Sequence, residues 1–272
     1  FGNADYKDSG NVIAYVGQGG LGLPEKGYYA DASQAKIREA YEAYITQVLT
    51  LSGTDAAQAA EQAKAVLAFE TRLANASLSR IELRDPSKRY NPVSAADADK
   101  LTPNFSWTAL WDTLKVPAAQ KFSLAQPQFF QEVDKMLADV PAATWQAYLR
   151  FHAIDDAAPY LSSNFEKANF DFYGKTLRGQ QEMQPRWKRV LDSVNGAMGE
   201  ALGQLYVEAV FPAESKEKMQ HLVDNLSVAL KARLEKLEWM GDDTRAKALE
   251  KWASFTPKIG YPDKWRDWDG LK

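Results

Sequence analysis

From Asp31 onward, apolar side chains recur at the 3.6-residue spacing of a helix, and this repetition constrains the fold more than any other feature. The segment Ser215–Glu238 is the clearest case, because one apolar stripe runs along it with lysine and glutamate between. The stripe consists of Met219, Leu222, Val223, Leu226, Leu230, Leu234 and Leu237. Such a stripe buries one face of a helix against neighbouring elements. The sequence therefore predicts a mostly α fold, built as a multi-helix lobe.

Capping residues, glycines and prolines set the predicted bounds of the other helices. Asp31 or Ser33 is predicted to cap a helix over residues 37–51, and Gly53 takes the left-handed position that ends it. The remaining predicted helices are 54–80 with Thr54 or Asp55 as its cap, Ser106–Lys115, Gln126–Leu137, Pro141–Tyr160, Glu166–Thr176, Gly179–Phe211 with a bend near Gly196 to Gly203, and Thr244–Phe255 after a cap at Asp242 or Asp243.

The N-terminus differs from the helical remainder. Val12–Val16 is predicted to form a short β-strand, and a Gly-rich loop, Gly17–Gly22, follows it. No repeat, low-complexity tract or linker divides the chain. The predicted organisation is a helical lobe over residues 1–256, followed by residues 257–272 as the start of a connection to another lobe.

Composition removes several classes of function. The chain has no cysteine and two histidines, His152 and His221, so thiol nucleophiles, disulfides and His-rich metal sites cannot come from it alone. Neither histidine begins an H-E-x-x-H motif, and both are interpreted as structural or surface residues. The net charge of -3 gives no electrostatic case for nucleic acid. No run of about 18 apolar residues predicts a membrane-spanning segment.

The pattern Gly17-x-Gly19-x-x-Gly22 matches the glycine spacing of a dinucleotide-binding loop. Its context does not, because Leu23-Pro24 interrupts the place where a helix should begin, and no second strand follows. We interpret these glycines as residues that supply positive φ angles in a tight loop. A nucleotide-binding oxidoreductase is therefore a disfavoured alternative.

Two other features of the sequence are candidate sites. The acidic pairs Asp155-Asp156 and Asp242-Asp243 point to different helix faces or cap helix starts, which does not suit acid–base catalysis. The basic side chains of Arg80–Arg89 fit an anion or a peptide carboxylate, but a solvated mixed-charge loop is the favoured interpretation. Residue spacing alone thus predicts no catalytic, cofactor-binding or metal-binding residue on this chain.

Two stretches carry a more specific signal. The first is Gln18-Gly19-Gly20-Leu21-Gly22-Leu23-Pro24, followed by Tyr28-Tyr29. The second is an ordered set formed by Arg186-Trp187-Lys188-Arg189, Val194-Asn195-Gly196, Leu205-Tyr206-Val207-Glu208-Ala209, Phe211, Ser215-Lys216, Leu237-Glu238-Trp239-Met240, Thr244, Ala248, Lys251 and Ile259-Gly260-Tyr261-Pro262. Both resemble the neprilysin family of zinc metallopeptidases, which includes the endothelin-converting enzymes, and Phe69–Ala74, Tyr90-Asn91 and Phe105–Trp107 extend the resemblance over essentially the whole chain.

The departures from the family are informative. Val190 stands where animal relatives carry a cysteine, which is typical of a bacterial member. In the family, the zinc-binding H-E-x-x-H, the third ligand in E-x-x-x-D and the substrate-gripping N-A-x-Y all lie beyond the Ile259–Pro262 segment. No H-E-x-x-H occurs here, and the chain ends ten residues after Pro262, so the resemblance transfers no catalytic or zinc-binding residue to any position of the chain.

The resemblance implies a fragment of a zinc metalloendopeptidase that comprises mainly its non-catalytic helical lobe. This lobe caps the substrate chamber, the partners are peptide substrates and the catalytic lobe of the same polypeptide, and zinc belongs to the parent protein rather than to this chain. Family habit implies a periplasmic, secreted or cell-envelope location. The alternative is a stand-alone helical binding or scaffold module without catalysis. For a fragment, we expect Trp265, Trp268 and Val12–Val16 to show unusual exposure or self-association.

Overall fold

The computed structural model describes residues 1–116, 121–268 and 270. They pack as two compact units, Phe1–Met183 and Gln184–Lys272. The predicted fold class is confirmed, because helices dominate both units and the strands of the described residues form one small sheet. The domain boundary at residues 256 and 257 stays a prediction.

Helices and short strands alternate through the first unit. Its elements are β1 Gly2–Ala4, β2 Val12–Val16, α1 Gly27–Ala30, α2 Ala35–Leu51, α3 Ala56–Ala76, β3 Pro92–Val93, α4 Ala95–Leu101, α5 Trp107–Leu114, β4 Phe122–Leu124, α6 Pro127–Asp139, α7 Ala142–Ala157, α8 Ser163–Asn169 and a π-helix Phe170–Leu177. The π-helix continues directly from α8, so the predicted Glu166–Thr176 helix consists of two segments with different winding.

The sheet is larger than the single strand that the sequence predicts. Its strand order is β1-β2-β4-β3, with β2 antiparallel to β1 and parallel to β4. The predicted strand Val12–Val16 is confirmed at those bounds. The other three strands have two or three residues each, which is too short for an alternating pattern to be recognised.

Two apolar clusters form the core of this unit. The larger cluster lies among α2, α3, α7 and the π-helix, with Tyr41, Val66 and Phe151 among its fully buried side chains. The smaller cluster packs Trp107 and Trp111 of α5 against the inner strand β4. These two tryptophans thus belong to the core, whereas Trp187 and Trp239 are exposed.

Two helix ends differ from the predictions. Neither Asp31 nor Ser33 caps α2, because the Asp31 carbonyl accepts from the Gln34 N–H at 3.0 Å and closes a 3₁₀ turn ahead of the helix. The second helix begins as predicted at Asp55, whose carboxylate accepts from two backbone N–H groups. It ends at Ala76 rather than Arg80, because the side chain of Gln18 binds the backbone of Leu78.

The second unit consists of α9 Arg186–Val210, α10 Ala213–Glu235, α11 Asp242–Ala253 and the segment after them. The predicted bend in α9 is confirmed by the non-helical φ and ψ of Met198. This helix starts later than predicted, because Gly179 adopts a φ of 73° and ends the preceding π-helix. Helix α11 packs against α10, where the Trp252 indole N–H donates to the Ser227 carbonyl at 3.0 Å.

The exposure expected of a fragment holds at one position only. Val12 is 76% exposed, whereas Tyr15 in the same strand is buried. Trp265 and Trp268 are half-buried within the second unit.

Candidate functional site at the glycine loop

The glycine-rich segment Gly17–Pro24, called the glycine loop below, follows β2 and is held by side chains from distant parts of the first unit. Gln18 donates its backbone N–H to the Gln126 side chain at 2.8 Å. Its carboxamide donates to the Leu78 carbonyl at 2.9 Å and accepts from the Leu78 N–H at 2.7 Å. Further along, Tyr148 donates its hydroxyl to the Gly20 carbonyl at 2.8 Å. The loop is therefore fixed without a regular strand partner.

A buried carboxylate on α3 anchors the next turn of the loop. Glu70 is fully buried and accepts the Gly22 N–H at 3.2 Å. Its oxygens also accept from the hydroxyls of Tyr29 and Tyr41, at 2.5 and 2.9 Å. The His152 ring nitrogen Nε2 lies 2.8 Å from Glu70 Oε1. These partners satisfy a carboxylate that would otherwise be too costly to bury.

A second buried carboxylate is linked to the same glycine through the Tyr173 hydroxyl. Asp155 accepts from the hydroxyls of Tyr44 and Tyr173, at 2.5 and 2.8 Å, and from the Asn169 amide at 3.3 Å. The Tyr173 hydroxyl also lies 3.3 Å from the Gly22 carbonyl oxygen. Gly22 is thus bound through its N–H by the Glu70 cluster and through its carbonyl by the Asp155 cluster.

Burial dominates the electrostatics of both clusters. It raises the pKa of Asp155 above its usual range, although the Tyr44 and Tyr173 hydroxyls oppose this shift. It also raises the pKa of Tyr29 and Tyr41, whose phenols face the Glu70 carboxylate, and raises that of Tyr148 to about 12. The phenols therefore remain protonated donors, which suits a structural clamp on the loop.

The glycines of the loop have other roles than the one predicted from their spacing. Gly17, Gly19 and Gly22 do not adopt positive φ, whereas Gly20, outside that pattern, has a φ of 79°. Gly22 is required for close approach instead, because a Cβ there would lie 1.8 Å from the Tyr41 hydroxyl oxygen. The interpretation of the motif as positive-φ residues is therefore wrong at its three positions.

The other weighed residues are not brought into one site. His152 joins the Glu70 cluster as a structural residue, while His221 is exposed on α10 in the other unit. Asp155 is in the buried network, but its neighbour Asp156 is exposed, and the Asp242-Asp243 pair is exposed at the start of α11. Within Arg80–Arg89, the four basic side chains are exposed, as expected of a solvated loop.

The described residues do not suit a metal ion. Outside residues 117–120, 269, 271 and 272, no group of three or more His, Asp or Glu side chains is arranged to hold one. In the Glu70–His152 pair, the remaining partners of the carboxylate are phenols and a backbone N–H. We therefore assign no metal chemistry to the glycine loop.

Sequence reasoning missed Glu70, although a signal for it exists. Val66, Phe69 and Leu73 mark the buried face of α3, and Glu70 falls on that same face by helical spacing. A lone carboxylate on an apolar face requires several donors nearby. The partners themselves lie 29 to 82 residues away and could not be read from local spacing.

Comparisons with known proteins fit this architecture. The family model described as "Peptidase family M13" matches residues 1–262, and the chain belongs to that family. Endothelin-converting enzyme-like 1 of Mus musculus is 32% identical over 266 residues, which are 95% of this chain and 34% of that protein. The chain thus spans about a third of the length of the curated relatives that it matches.

Solved structures agree with this assignment. The zinc metalloprotease Zmp1 of Mycobacterium tuberculosis, in complex with an inhibitor, superposes with a TM-score of 0.88 at 34% identity and covers 98% of this chain and 41% of its own. PepO of Lactobacillus rhamnosis shares the fold, with a TM-score of 0.89 at 23% identity. The predicted resemblance to the neprilysin family of zinc metallopeptidases is confirmed.

Proposed function

We propose that the chain is the helical, non-catalytic part of a zinc metalloendopeptidase and that it forms the cap of a chamber in which peptides are hydrolysed. Family membership supports the reaction class, because the family consists of zinc metallopeptidases. The zinc ion and the residues that activate water belong, in this proposal, to another part of a longer polypeptide. A cap of this kind positions the peptide and excludes water without supplying the reacting groups.

The observation that carries the proposal is the apolar surface of the second unit. Exposed apolar side chains follow one face of α9, namely Trp187, Val190, Leu191, Val194, Met198 and Leu205. A similar exposed stripe follows α10, namely Met219, Leu222, Leu226 and Leu230. Apolar stripes at helical spacing bury themselves against another protein surface. The relatives are about three times as long as the matched region, and the remaining lobe is the occupant that we propose.

The two stripes allow a direct test with matched substitutions. Leu226 lies on the α10 stripe, whereas the equally exposed Val228 lies on the opposite side of the helix. We expect Leu226→Asp to lower the melting temperature of the full polypeptide, while Val228→Asp leaves it unchanged. In the 272-residue chain both variants should behave like the parent. Equal melting temperatures of both variants in the full polypeptide would contradict the docking.

The division of chemistry is tested separately. We expect the full polypeptide to hold stoichiometric zinc and to cleave a fluorogenic quenched peptide. We expect the 272-residue chain alone to do neither. Zinc content by mass spectrometry and hydrolysis rate are measured on both. Stoichiometric zinc with hydrolysis by the chain alone would overturn the proposal, and a full polypeptide without either activity would favour the binding-module alternative.

The proposal includes a location outside the cytoplasm, in the periplasm, the cell envelope or the medium. It follows from the neprilysin-like family alone. No helix in the described part of the chain has the length and apolar character needed to cross a bilayer. Fractionation of the source cells, followed by immunodetection of the protein, tests the location, and recovery in the cytoplasmic fraction alone would contradict it.

A further inference from the structure

A cavity of about 240 Å³ lies beside the glycine loop. One wall consists of the loop backbone from Gln18 to Leu21. The facing wall is formed by Ser77, Leu78, Arg80 and Leu83, which follow α3. The Gln18 carboxamide joins the two walls through its paired hydrogen bonds to Leu78. The cavity is therefore a formed feature of the first unit.

Unsatisfied donors line this cavity. The backbone N–H groups of Gly19, Gly20 and Leu21 donate to no acceptor among the described residues. Gly19 and Gly20 are exposed residues of the cavity lining. Successive backbone N–H groups of a turn are suited to an anionic oxygen.

Two cations at the cavity add to the donors. Lys26 donates its ammonium to the Ser77 carbonyl at 2.7 Å, and Arg80 donates one Nη2 hydrogen to the Pro24 carbonyl at 3.3 Å. Neither side chain forms an ion pair with a described carboxylate. Arg80 keeps further N–H groups in a planar arrangement that matches a carboxylate.

The acidic groups nearby set the charge that the cavity can accept. Among the described residues of the lining, Glu25 is the one carboxylate, so Lys26 and Arg80 exceed it by one positive charge. Glu82 lies close by and its charge attracts Lys26, but its oxygen Oε1 also pairs with Lys88 Nζ at 3.7 Å, so this carboxylate is accompanied by a cation of its own. A single carboxylate balances the lining, whereas a doubly charged phosphate would leave an excess of negative charge.

We propose that this cavity binds a carboxylate group of a peptide, through the Arg80 guanidinium, the Lys26 ammonium and the free N–H groups of Gly19–Leu21. The carboxylate is either the C-terminus of the peptide or an acidic side chain. The inference rests on the proposed function in taking peptides as the ligand. It assigns to the helical lobe a recognition role besides that of a cover.

Because the glycine loop is already anchored, binding a carboxylate there costs little conformational entropy. Gly20 and Gly22 are already fixed by Tyr148, Glu70 and Tyr173 before any ligand arrives. A site that is ordered in advance loses little conformational entropy on binding. The donors therefore need no rearrangement to meet a carboxylate.

The test is an NMR titration of the ¹⁵N-labelled 272-residue chain with three tripeptide probes. The first is N-acetyl-trialanine with a free C-terminus, the second is the same peptide amidated, and the third is an amidated N-acetylated peptide with one central glutamate. We expect saturable shifts of the Gly19, Gly20 and Leu21 amides with the first or the third probe and none with the second. The probe that binds identifies the source of the carboxylate. Equal shifts with all three probes, or none with any, would overturn the inference.

Substitutions locate the effect. We expect Arg80→Gln to weaken binding about tenfold, as for the loss of a hydrogen bond to a charged group. Arg84→Gln, at an exposed arginine outside the cavity lining, serves as the matched control and should bind like the parent. Glu25→Gln should strengthen binding, because it removes the opposing charge. An unchanged affinity in Arg80→Gln, with thermal unfolding like that of the parent, would overturn the inference.

This experiment is independent of catalysis. It measures binding to the chain itself and requires neither zinc nor hydrolysis. Failure to bind any probe leaves the proposed peptidase cap intact, whereas failure of the zinc and docking experiments leaves a carboxylate-binding module.

Discussion

The two units of the molecule solve the burial of their apolar side chains in different ways. In the first unit, α2, α3 and α7 contribute fully buried residues, and even a carboxylate, Glu70, is enclosed and fully paired. In the second unit, no residue of α9, α10 or α11 is buried, although these helices carry apolar stripes. A unit with an enclosed apolar core is stabilised by its own contacts, whereas exposed apolar stripes are buried only when another protein surface packs on them.

The largest effect that would sharpen this contrast comes from Glu70. We expect Glu70→Ala to lower the free energy of unfolding of the first unit by about 3–5 kcal/mol, because it leaves several buried donors without their acceptor, at about 1–3 kcal/mol each. The partners of Glu70 are Tyr29, Tyr41, His152 and the Gly22 N–H. Urea denaturation measures the change. Glu61→Ala, at an exposed glutamate of the same helix, is the control, and equal losses in both variants would refute the role of the network.

The next effect concerns the close approach at Gly22. We expect Gly22→Ala to cost about 1–3 kcal/mol, because the added methyl group overlaps the Tyr41 hydroxyl and forces it away. Gly19→Ala is the matched control, since a Cβ at Gly19 meets no atom within 4 Å and its φ is not positive. Denaturation midpoints of the two variants are compared. A Gly22→Ala chain as stable as Gly19→Ala would show that Tyr41 can move freely.

A pH-dependent effect is expected from Asp155, whose pKa burial raises above its ordinary value of 3.8. The folded state therefore binds this proton more tightly than the unfolded state does. The stabilising contribution is present below pH 3.8 and is lost as the pH rises through the folded-state pKa. Asp155→Asn should remove this fall from the stability curve measured by urea titration at several pH values.

The exposed neighbour Asp156 provides the control for that experiment. Asp156→Asn should leave the fall in stability in place, since its side chain is outside the network. If the difference between the parent and Asp155→Asn does not change with pH, Asp155 is not titrating in the folded interior.

The smallest effect is expected in the second unit of the chain by itself. Leu226→Asp and Val228→Asp should each change the free energy of unfolding by no more than about 0.5 kcal/mol, as is usual for exposed positions. Both side chains are more than half exposed, at 63% and 66%. A large loss for Leu226→Asp alone would break the contrast between the units, because it would show that the stripe is covered in the isolated chain. Denaturation at two protein concentrations separates that result from self-association.

Local chemistry made much of the fold predictable. The apolar stripe predicts α10, the Asp55 carboxylate predicts the start of α3, and Gly53 takes the expected left-handed conformation at φ 93°. These features depend on neighbours within one or two helical turns. The sequence alone therefore predicts most helices, with bounds that differ by a few residues.

The anchored loop depends on contacts that no local pattern contains. Glu70 and His152 are 82 residues apart, and Tyr173 reaches the Gly22 carbonyl across 151 residues. The π-helix that presents Tyr173 also departs from the regular spacing on which helix prediction depends. The family resemblance supplied the class of protein, but not the network that holds its glycine loop.

The paired contact between Gln18 and Leu78 has a consequence for protein engineering. The carboxamide of Gln18 forms hydrogen bonds only with main-chain atoms of residue 78, namely its N–H and its carbonyl oxygen. Most side chains could replace the leucine without touching this contact, but proline could not, because it lacks the N–H. Position 18 does not tolerate substitution in the same way. Glutamate would lose the donor, and asparagine is one methylene group too short to reach Leu78. A library built around this loop should therefore vary residue 78 and keep Gln18.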